Sequence, residues 1–369
     1  MAVASAERRA AKIAAAAPRP DGGATATRLW IVHGALWLGL IAYCWSAWIL
    51  SGDFAVNSIG RGLEPGWYVI LVRCVEVFFG IIVSGWILWR FVIAPKRRTG
   101  SLSNEGLLFL ACWLMFFQEP WMNWINLQFL YATTFVNFGS WLHRIPGWGL
   151  PNGELIPVPI VYGMAYLWMV GLGAWAGARY MTRQRRKDPD RSNGRLLWQT
   201  FTVMIVVDLV VESIMVHAQL ISYPRTISSL TLWAGTDHQF PLYEALSWPG
   251  TFIILSSLHF FRDDQGRTWP ERGIDRIRFR SGKLKTLARF SAIVGVCQLA
   301  ILVTFNIPYQ IWGLHADAVP PELLNRQWRI GGVCGPGSSY DCGGPGVLIP
   351  RTDTPTNLFP PPPHQGVSE

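Results

Sequence analysis

Charged residues are scarce in this sequence, and their scarcity argues against a soluble enzyme of the same length. Only 15% of the 369 residues are charged, whereas half are hydrophobic and 20 are tryptophan. This composition is typical of a polytopic membrane protein. The basic residues form short clusters between long apolar segments, so the net charge of +9 does not indicate nucleic acid binding. We expect the lipid bilayer as the main partner and no nucleic acid.

Motifs that would define a metal or cofactor site are also missing. None of the six cysteines forms a CxxC pair, so a zinc or redox motif is unsupported. The closest histidines are 21 positions apart, which excludes the HxxxH boxes of membrane di-iron oxygenases. The last apolar segment lacks the lysine that a retinal protein requires, and no P-loop, GxSxG or HExxH motif occurs. The sequence therefore predicts a protein without cofactors.

Seven apolar segments predict an all-α fold, a bundle of seven transmembrane helices. A span takes about 20 residues, and we place the segments at residues 29–50, 66–93, 105–130, 159–178, 196–219, 245–261 and 287–306. Three regions follow from these segments. We expect a disordered basic tail at 1–28, a membrane domain at 29–306, and an irregular or disordered tail rich in Pro and Gly at 307–369.

The distribution of lysine and arginine predicts the orientation of the helices. With a cytoplasmic N-terminus, the inside pieces carry 24 of these residues and the outside pieces carry 6. Because cytoplasmic loops are enriched in positive charge, we predict a multi-pass protein of the cell membrane with its C-terminus outside. The tail then lies in an oxidising compartment, where Cys334 and Cys342 can form a disulfide. Two free thiols are the alternative.

Carboxylates inside the apolar segments are the strongest functional signal. The fifth segment carries Asp208 and Glu212, about 40° apart on one helix face, whereas His217 lies about 140° further round. A charge at membrane depth costs roughly 2.5–3.5 kcal/mol, so such residues usually face a cavity or a partner. Two carboxylates one turn apart repel when both are ionised, so the pair offers an acid beside a base. A structural role for both is the alternative.

The same two acids suit a magnesium site less well. Asp208 and Glu212 could hold Mg²⁺ on a diphosphate, as in intramembrane prenyltransferases. Those enzymes carry two Asp-rich motifs on separate helices, and the sequence has no second one. We therefore assign no metal ligands.

Further polar residues lie toward the predicted outer side. Glu119 precedes Pro120, which removes a backbone donor and interrupts the third segment, and Asn123 lies four positions after Glu119. Glu76 is expected to form a packed ion pair with Arg73. The connection between segments five and six adds Asp237, His238, Tyr243 and Glu244. For Asp237 and His238, a solvated loop is the alternative.

Three stretches of the chain resemble a known family. They are FQEPWMNW (117–124), VVDLVVESIMVHAQ (206–219) and the following SYP, WAG, H and FPLYE residues (222–244). Together with the seven segments they resemble the AveC-like spirocyclases, whose namesake acts in avermectin biosynthesis. The resemblance covers residues 30–310 and excludes both tails. It implies spiroketal formation, with dehydration in some members, on a substrate of polyketide or lipid type.

The implied chemistry needs one group to protonate a departing hydroxyl and another to accept the proton of the attacking hydroxyl. We assign Glu212 as the general acid, Asp208 as the partner that tunes it, and Glu119 as the base or its relay. Asn123 would orient the substrate. Further substrate contacts, including aromatic faces that stabilise a cation, are expected from Trp121, Trp124, Trp233, His217, His238, Tyr243 and Glu244.

A non-enzymatic interpretation stays open beside this one. The chain could be a transporter of lipids or small molecules, or an accessory membrane subunit. The same buried acids would then form a proton relay. The sequence does not determine the oligomeric state.

Overall fold

The computed structural model describes residues 22–57, 62–150, 152–336, 338 and 340–346. Most of the predicted N-terminal tail and residues 347–369 therefore lie outside the described residues. The described chain is mainly helical, as predicted. Its helices are α1 (Gly22–Leu50), α2 (Gly66–Thr99), α3 (Asn104–Leu114), α4 (Ile160–Lys187), α5 (Asn193–His217), α6 (Glu244–Phe260), α7 (Gly282–Gly313), α8 (Pro321–Leu324) and α9 (Gln327–Ile330).

Short elements connect these helices. α3 continues as the 3₁₀ helix Met115–Asn123. Two antiparallel ribbons of two-residue strands pair β1 (Leu130–Tyr131) with β2 (Ile221–Ser222), and β3 (Thr231–Leu232) with β4 (Phe240–Pro241). Single 3₁₀ turns are found at Leu142–Arg144, Gly153–Leu155, Ser228–Leu230, Trp269–Glu271 and Ile274–Arg276.

Five helices, α1, α2, α4, α5 and α7, are long and apolar enough to cross a membrane. More than half of the most apolar stretch of α4 and of α7 is buried in the protein, whereas α1, α2 and α5 turn most of that stretch outward. Large apolar side chains cover that outward surface, among them Leu36, Phe78, Ile81, Trp86, Val206 and Val210. A continuous apolar surface of this kind is stable against lipid tails but not against water.

The third and sixth predicted segments differ from the other five. The third segment, predicted over 105–130 with an interruption at Pro120, loses its α-helical geometry earlier: α3 ends at Leu114, and the chain then tightens into the 3₁₀ helix that contains Pro120. α6 has 17 residues, fewer than the about 20 that a span requires. Both elements pack against α7 in the interior. The count of seven spans and the orientation of the termini therefore stay predictions.

Two glycines allow α1 and α7 to approach closely. A Cβ atom on Gly34 would lie 1.7 Å from the carbonyl oxygen of Ser291. One on Gly295 would lie 2.9 Å from the carbonyl oxygen of Trp30. Small residues at such a crossing let two backbones touch and gain packing energy inside a membrane. This contact fixes α1, which is otherwise largely exposed, against the bundle.

The predicted ion pair on α2 is confirmed. Arg73 pairs with Glu76, and the Arg73 guanidinium also donates to the carbonyl oxygen of Thr134. Glu76 accepts a further hydrogen bond from the backbone N–H of Val136 at 2.6 Å. The pair therefore ties α2 to the loop after β1, which is a structural role.

The described part of the C-terminal segment combines short helices with irregular turns, and the expectation for the whole tail stays a prediction. α7 continues to Gly313, past its predicted end at residue 306, and α8 and α9 follow. A disulfide joins Cys334 to Cys342. The buried Arg225 donates hydrogen bonds to the carbonyl oxygens of Ala316, Asp317, Cys342 and Gly344. We call the described residues from 314 to 346 the cap.

Candidate active site

One narrow stripe of α5 faces the protein interior. Its buried residues recur at every fourth position, which places them on one helix face. Asp208 and Glu212 lie on this stripe and are 8% and 5% exposed. His217 is exposed, in keeping with its predicted position on another face. The complete stripe consists of Leu196, Thr200, Met204, Asp208, Glu212 and Val216.

Two further carboxyl groups reach the same region from other elements. Glu119 lies on the 3₁₀ helix after α3, and Glu244 is the first residue of α6; both are buried. Glu244 interacts electrostatically with the other three acids, and Glu119 interacts with Glu212. Three separate segments therefore bring four acids together. We call Glu119, Asp208, Glu212 and Glu244 the acid cluster.

Tyrosine hydroxyls, and not cations, are the partners of these carboxyl groups. Within the described part of the chain, no arginine, lysine or histidine forms an ion pair with any of the four. Glu119 accepts hydrogen bonds on both of its oxygens. Uncompensated negative charge is costly in an apolar interior, so the cluster favours protonated carboxyl groups. The donors and acceptors are Tyr131 and Tyr166 with Glu119, Tyr223 with Glu212, and Tyr309 with Glu244.

The β1–β2 ribbon positions two of these tyrosines. Tyr131 in β1 pairs with Ile221 in β2, and Tyr223 lies two residues after Ile221. Residues two apart along a strand share one face of a ribbon. The ring of Phe129 contacts both tyrosines, at 4.8 Å from Tyr131 and 5.2 Å from Tyr223. The ribbon thus holds two hydroxyl donors of distant sequence position beside the acid cluster.

Asp208 differs from the other members of the cluster. Its Oδ2 atom is buried and has no hydrogen-bond partner among the described residues. An unsatisfied buried polar group costs about 1–3 kcal/mol, and each such group in a native protein calls for an explanation. Glu212, by contrast, accepts a hydrogen bond from Tyr223 at 2.9 Å. Asp208 therefore keeps a buried oxygen that no described group satisfies.

The chain around Glu119 departs from a regular helix, as its proline predicts. Pro120 lies inside the 3₁₀ helix. The carbonyl oxygen of Phe117 takes a donor from outside the helix, the indole N–H of Trp141 at 3.2 Å. A carbonyl group of the broken helix is thus satisfied by tertiary contacts, and Glu119 is held in a fixed place.

Asn123 is engaged by its own loop. Its amide donates to the carbonyl oxygen of Phe129 at 2.9 Å. Its side-chain oxygen accepts from the backbone N–H groups of Gln128 and Phe129. These bonds close the loop that leads into β1 and thereby place Tyr131. The structure favours this positioning role over direct orientation of a substrate.

Two of the predicted tryptophans belong to an aromatic layer between the 3₁₀ helix and its neighbours. Trp121 contacts the ring of Trp37 on α1 at 5.7 Å. Trp124 contacts the ring of Trp148 at 5.3 Å. These contacts with other aromatic rings give both tryptophans a packing role.

His217, Trp233 and His238 form a separate group beside the cap. The ring of His217 lies 4.6 Å from those of Trp233 and His238. His238 contacts Asp237 at 3.0 Å. Burial alone would raise the pKa of Asp237, but the His238 hydrogen bond and the charges of Arg329 and a second cap arginine lower it below its usual value. The ion pairs between Asp237 and the two cap arginines therefore balance the charge of Asp237 and hold the cap in place.

The loop before α6 divides between two environments. Glu244 joins the acid cluster. Tyr243 is buried and its ring lies 4.4 Å from that of Trp312 on α7. Trp248, one turn after Glu244, contacts the ring of Tyr166 at 6.0 Å, which brings an aromatic face to the tyrosine side of the cluster.

The sequence did not predict the tyrosines that bond to the acid cluster, nor Trp248. Tyr162 and Tyr166 are four positions apart in the predicted fourth segment. A buried tyrosine hydroxyl usually needs a hydrogen-bond partner, so this spacing could have pointed to a polar site. Tyr131 and Tyr223 lie in connections with no local pattern. Their role depends on the pairing of β1 with β2.

The comparison with known families bears on the whole of this region. A family model described as Spirocyclase AveC-like matches residues 97–327. The chain belongs to the AveC-like spirocyclase family. The matched range contains all four acids of the cluster and their tyrosine partners, and it leaves α1 and most of α2 outside. The resemblance stated from the sequence is thereby confirmed. Searches of the curated proteins and of the solved structures find no match to this AveC-like chain.

Proposed function

We propose that this AveC-like protein is a membrane-embedded cyclase that uses acid–base chemistry. Its substrate is a hydroxyketone of polyketide or lipid type, and its product is a cyclic ketal. The observation that carries the proposal is a cluster of four buried carboxyl groups. Among the described residues, no cation forms an ion pair with any of them. Burying several unpaired charges together is costly, so some of the four hold protons. Such a cluster supplies both a proton donor and a proton acceptor.

The role of general acid passes from Glu212 to Asp208 in this proposal. Asp208 has a free buried oxygen, whereas Glu212 is engaged by Tyr223. Glu212, one turn away, favours the protonated form of Asp208 by its negative charge. Glu119 has both oxygens on tyrosine hydroxyls, so it accepts a proton through Tyr131 or Tyr166.

The proposed reaction removes one water from a dihydroxyketone. One hydroxyl adds to the ketone and gives a hemiketal. Asp208 protonates the hemiketal hydroxyl, which leaves as water, and an oxocarbenium ion remains. The second hydroxyl attacks that carbon and gives its proton to the Glu119 relay, from which it returns to Asp208. Tyrosine and tryptophan faces stabilise the cation, and a dry interior prevents water from reopening the ring.

The membrane arrangement belongs to the same proposal. Seven segments cross or enter the cell membrane, with the N-terminus in the cytoplasm and the C-terminus outside. The asymmetry of lysine and arginine supports this orientation. Because the outward face of α5 is apolar, a hydrophobic substrate reaches Asp208 from the lipid, past α5. The chemistry requires no nucleotide or metal ion.

Conversion in detergent tests the proposal. Purified protein is incubated with dihydroxyketones of several chain lengths, with and without EDTA, and loss of one water is followed by mass spectrometry. We expect conversion by wild type that EDTA does not change, none by Asp208→Asn, and partial conversion by Glu212→Gln. Asp275→Asn, which alters an exposed carboxylate far from the cluster, is the matched control.

A proton-coupled transporter would use the same buried acids, and the experiment separates the two. A transporter needs a gradient across a membrane and changes no bond of its cargo. Failure of every substrate in the panel would overturn the cyclase and favour transport. Full activity of Asp208→Asn would remove the assigned acid.

A further inference from the structure

A second site lies between α2 and α4, at the end of the bundle away from the cap. A cavity of about 300 Å³ opens there between the two helices and the start of α3. Each long helix contributes one arginine to its wall. The lining includes Arg90, Phe91, Ser103, Glu105, Trp175 and Arg179.

The two arginines have no anionic partner. Among the described residues, neither Arg90 nor Arg179 forms an ion pair or a side-chain hydrogen bond. Each guanidinium instead lies over an aromatic ring of the cavity wall. Arg90 is 5.4 Å from the ring centre of Phe91, and Arg179 is 4.6 Å from that of Trp175. This stacking holds the guanidinium planes in place and leaves their N–H donors free.

The one carboxylate in the wall does not cancel their charge. Glu105 is paired with Arg262 at 2.9 Å and contacts His259 at 3.0 Å. Its negative charge is therefore already balanced by groups behind the wall. The cavity keeps a net positive charge from the two arginines, and the Ser103 hydroxyl is bound to the carbonyl oxygen of Phe91.

The position of the cavity along α2 indicates where a ligand would come from. α2 has 34 residues, or about 51 Å at 1.5 Å per residue, whereas the hydrocarbon core is about 30 Å thick. Its last turns therefore extend into the headgroup region. Trp86 and Trp89, both exposed, precede Arg90 and match the aromatic belt of a membrane interface.

We propose that this cavity binds the phosphate group of an anionic phospholipid between Arg90 and Arg179. Arginine forms paired hydrogen bonds to phosphate oxygens, and two guanidiniums facing one cavity match one phosphate. Basic pockets between transmembrane helices bind anionic headgroups by the same chemistry. The site is independent of the cyclase proposal, since it shares no residue with the acid cluster.

Lipid titration of the whole protein in detergent tests this site. Thermal unfolding is measured while phosphatidylglycerol, phosphatidylcholine or inorganic phosphate is added. The test variant is Arg90→Gln/Arg179→Gln. The matched control, Arg97→Gln/Arg183→Gln, removes one arginine from each of the same helices outside the cavity wall; Arg97 also lies over a ring, that of Trp89. Unfolding without lipid and gel filtration establish that the variants fold.

We expect phosphatidylglycerol to raise the melting temperature of wild type and of the control. In the test variant the apparent Kd for phosphatidylglycerol should rise by about tenfold for each arginine removed. Arg90→Lys/Arg179→Lys keeps the charge and should recover part of the affinity. If the double variant does not fold, the single variants are measured, each with about a tenfold loss expected.

Three results would overturn the proposal. Equal weakening in the control variant would mean that general charge, and not the cavity, attracts the lipid. Unchanged affinity in the test variant would mean that the lipid binds elsewhere. Stabilisation by inorganic phosphate alone that matches phosphatidylglycerol would replace the lipid by a free anion.

Discussion

The buried carboxyl groups of the described chain fall into two groups with different partners. Asp237 is paired with Arg329 and a second arginine of the cap, and Glu271 is paired with Arg289 at 2.7 Å. Three acids of the acid cluster accept hydrogen bonds from tyrosine hydroxyls, and Asp208 keeps an oxygen without a partner among the described residues. An arginine-paired carboxylate has its charge balanced and joins two elements. In our proposal the acid cluster instead keeps protons in an apolar interior. The partner, and not burial alone, therefore distinguishes a structural carboxyl group from a candidate for chemistry.

The two groups should respond to substitution in opposite ways. Removing a carboxylate from a buried ion pair leaves the arginine charge uncompensated, which is strongly destabilising. Removing one from the acid cluster takes away a group that is costly to bury, so the fold should tolerate the change.

The largest expected effect is on activity, in Asp208→Asn. The cyclisation rate should fall by about 10²–10⁴-fold, the usual contribution of general acid–base catalysis. Its melting temperature should stay the same or rise, because the free oxygen of Asp208 stabilises nothing in the described chain. Initial rates and thermal unfolding in the same detergent check both parts. A large drop in melting temperature would move Asp208 to the structural group.

The next effect is on stability, in Asp237→Asn. Its free energy of unfolding should fall by about 3–5 kcal/mol, because the fully buried Arg329 side chain loses its carboxylate partner. Asp188→Asn breaks a more exposed pair with Arg191 and should cost only about 0–1 kcal/mol. Chemical unfolding of both variants measures the difference. Similar losses in the two would contradict the distinction between buried and exposed pairs.

The same aspartate should make stability depend on pH. The pKa of Asp237 in the folded protein is lower than its usual value of 3.8. Its stabilising contribution is therefore complete above about pH 4 and is lost as the pH falls through the lower folded value. On acidification below about pH 4, the melting temperature of wild type should fall further than that of Asp237→Asn. Parallel curves for the two proteins would rule out this contribution.

The smallest effect is expected for Tyr223→Phe. Glu212 loses a hydrogen bond of 2.9 Å, so stability should change by about 0.5–1.5 kcal/mol or less. The rate should fall by roughly tenfold, because the carboxyl next to Asp208 is no longer held in place. Tyr43→Phe, at an exposed position on α1, is the control. A loss of stability equal to that of Asp237→Asn would make this tyrosine part of the structural framework.

Local pattern was enough for part of the candidate site. The helical repeat placed Asp208 and Glu212 on one face and His217 on another, because both positions follow from angles within one helix. Pro120 marked the break beside Glu119, since proline removes a backbone donor wherever it stands. The sequence pattern predicted neither the end of α3 nor the ordered structure of the cap. The first depends on contacts with α7 and the second on Arg225, and both lie far away in the chain.

The sequence by itself determined the helical class, the long apolar helices and the shared face of the α5 acids, because composition and periodicity are local properties. Its motifs carried the resemblance to the family. Only the tertiary structure decided which partner each buried carboxyl group of the two groups has. The β1–β2 ribbon brings Tyr131 and Tyr223 to Glu119 and Glu212, and the cap brings its arginines to Asp237. No local rule encodes such pairings. They arise when distant segments pack, and burial then favours the arrangements in which most polar groups find a partner.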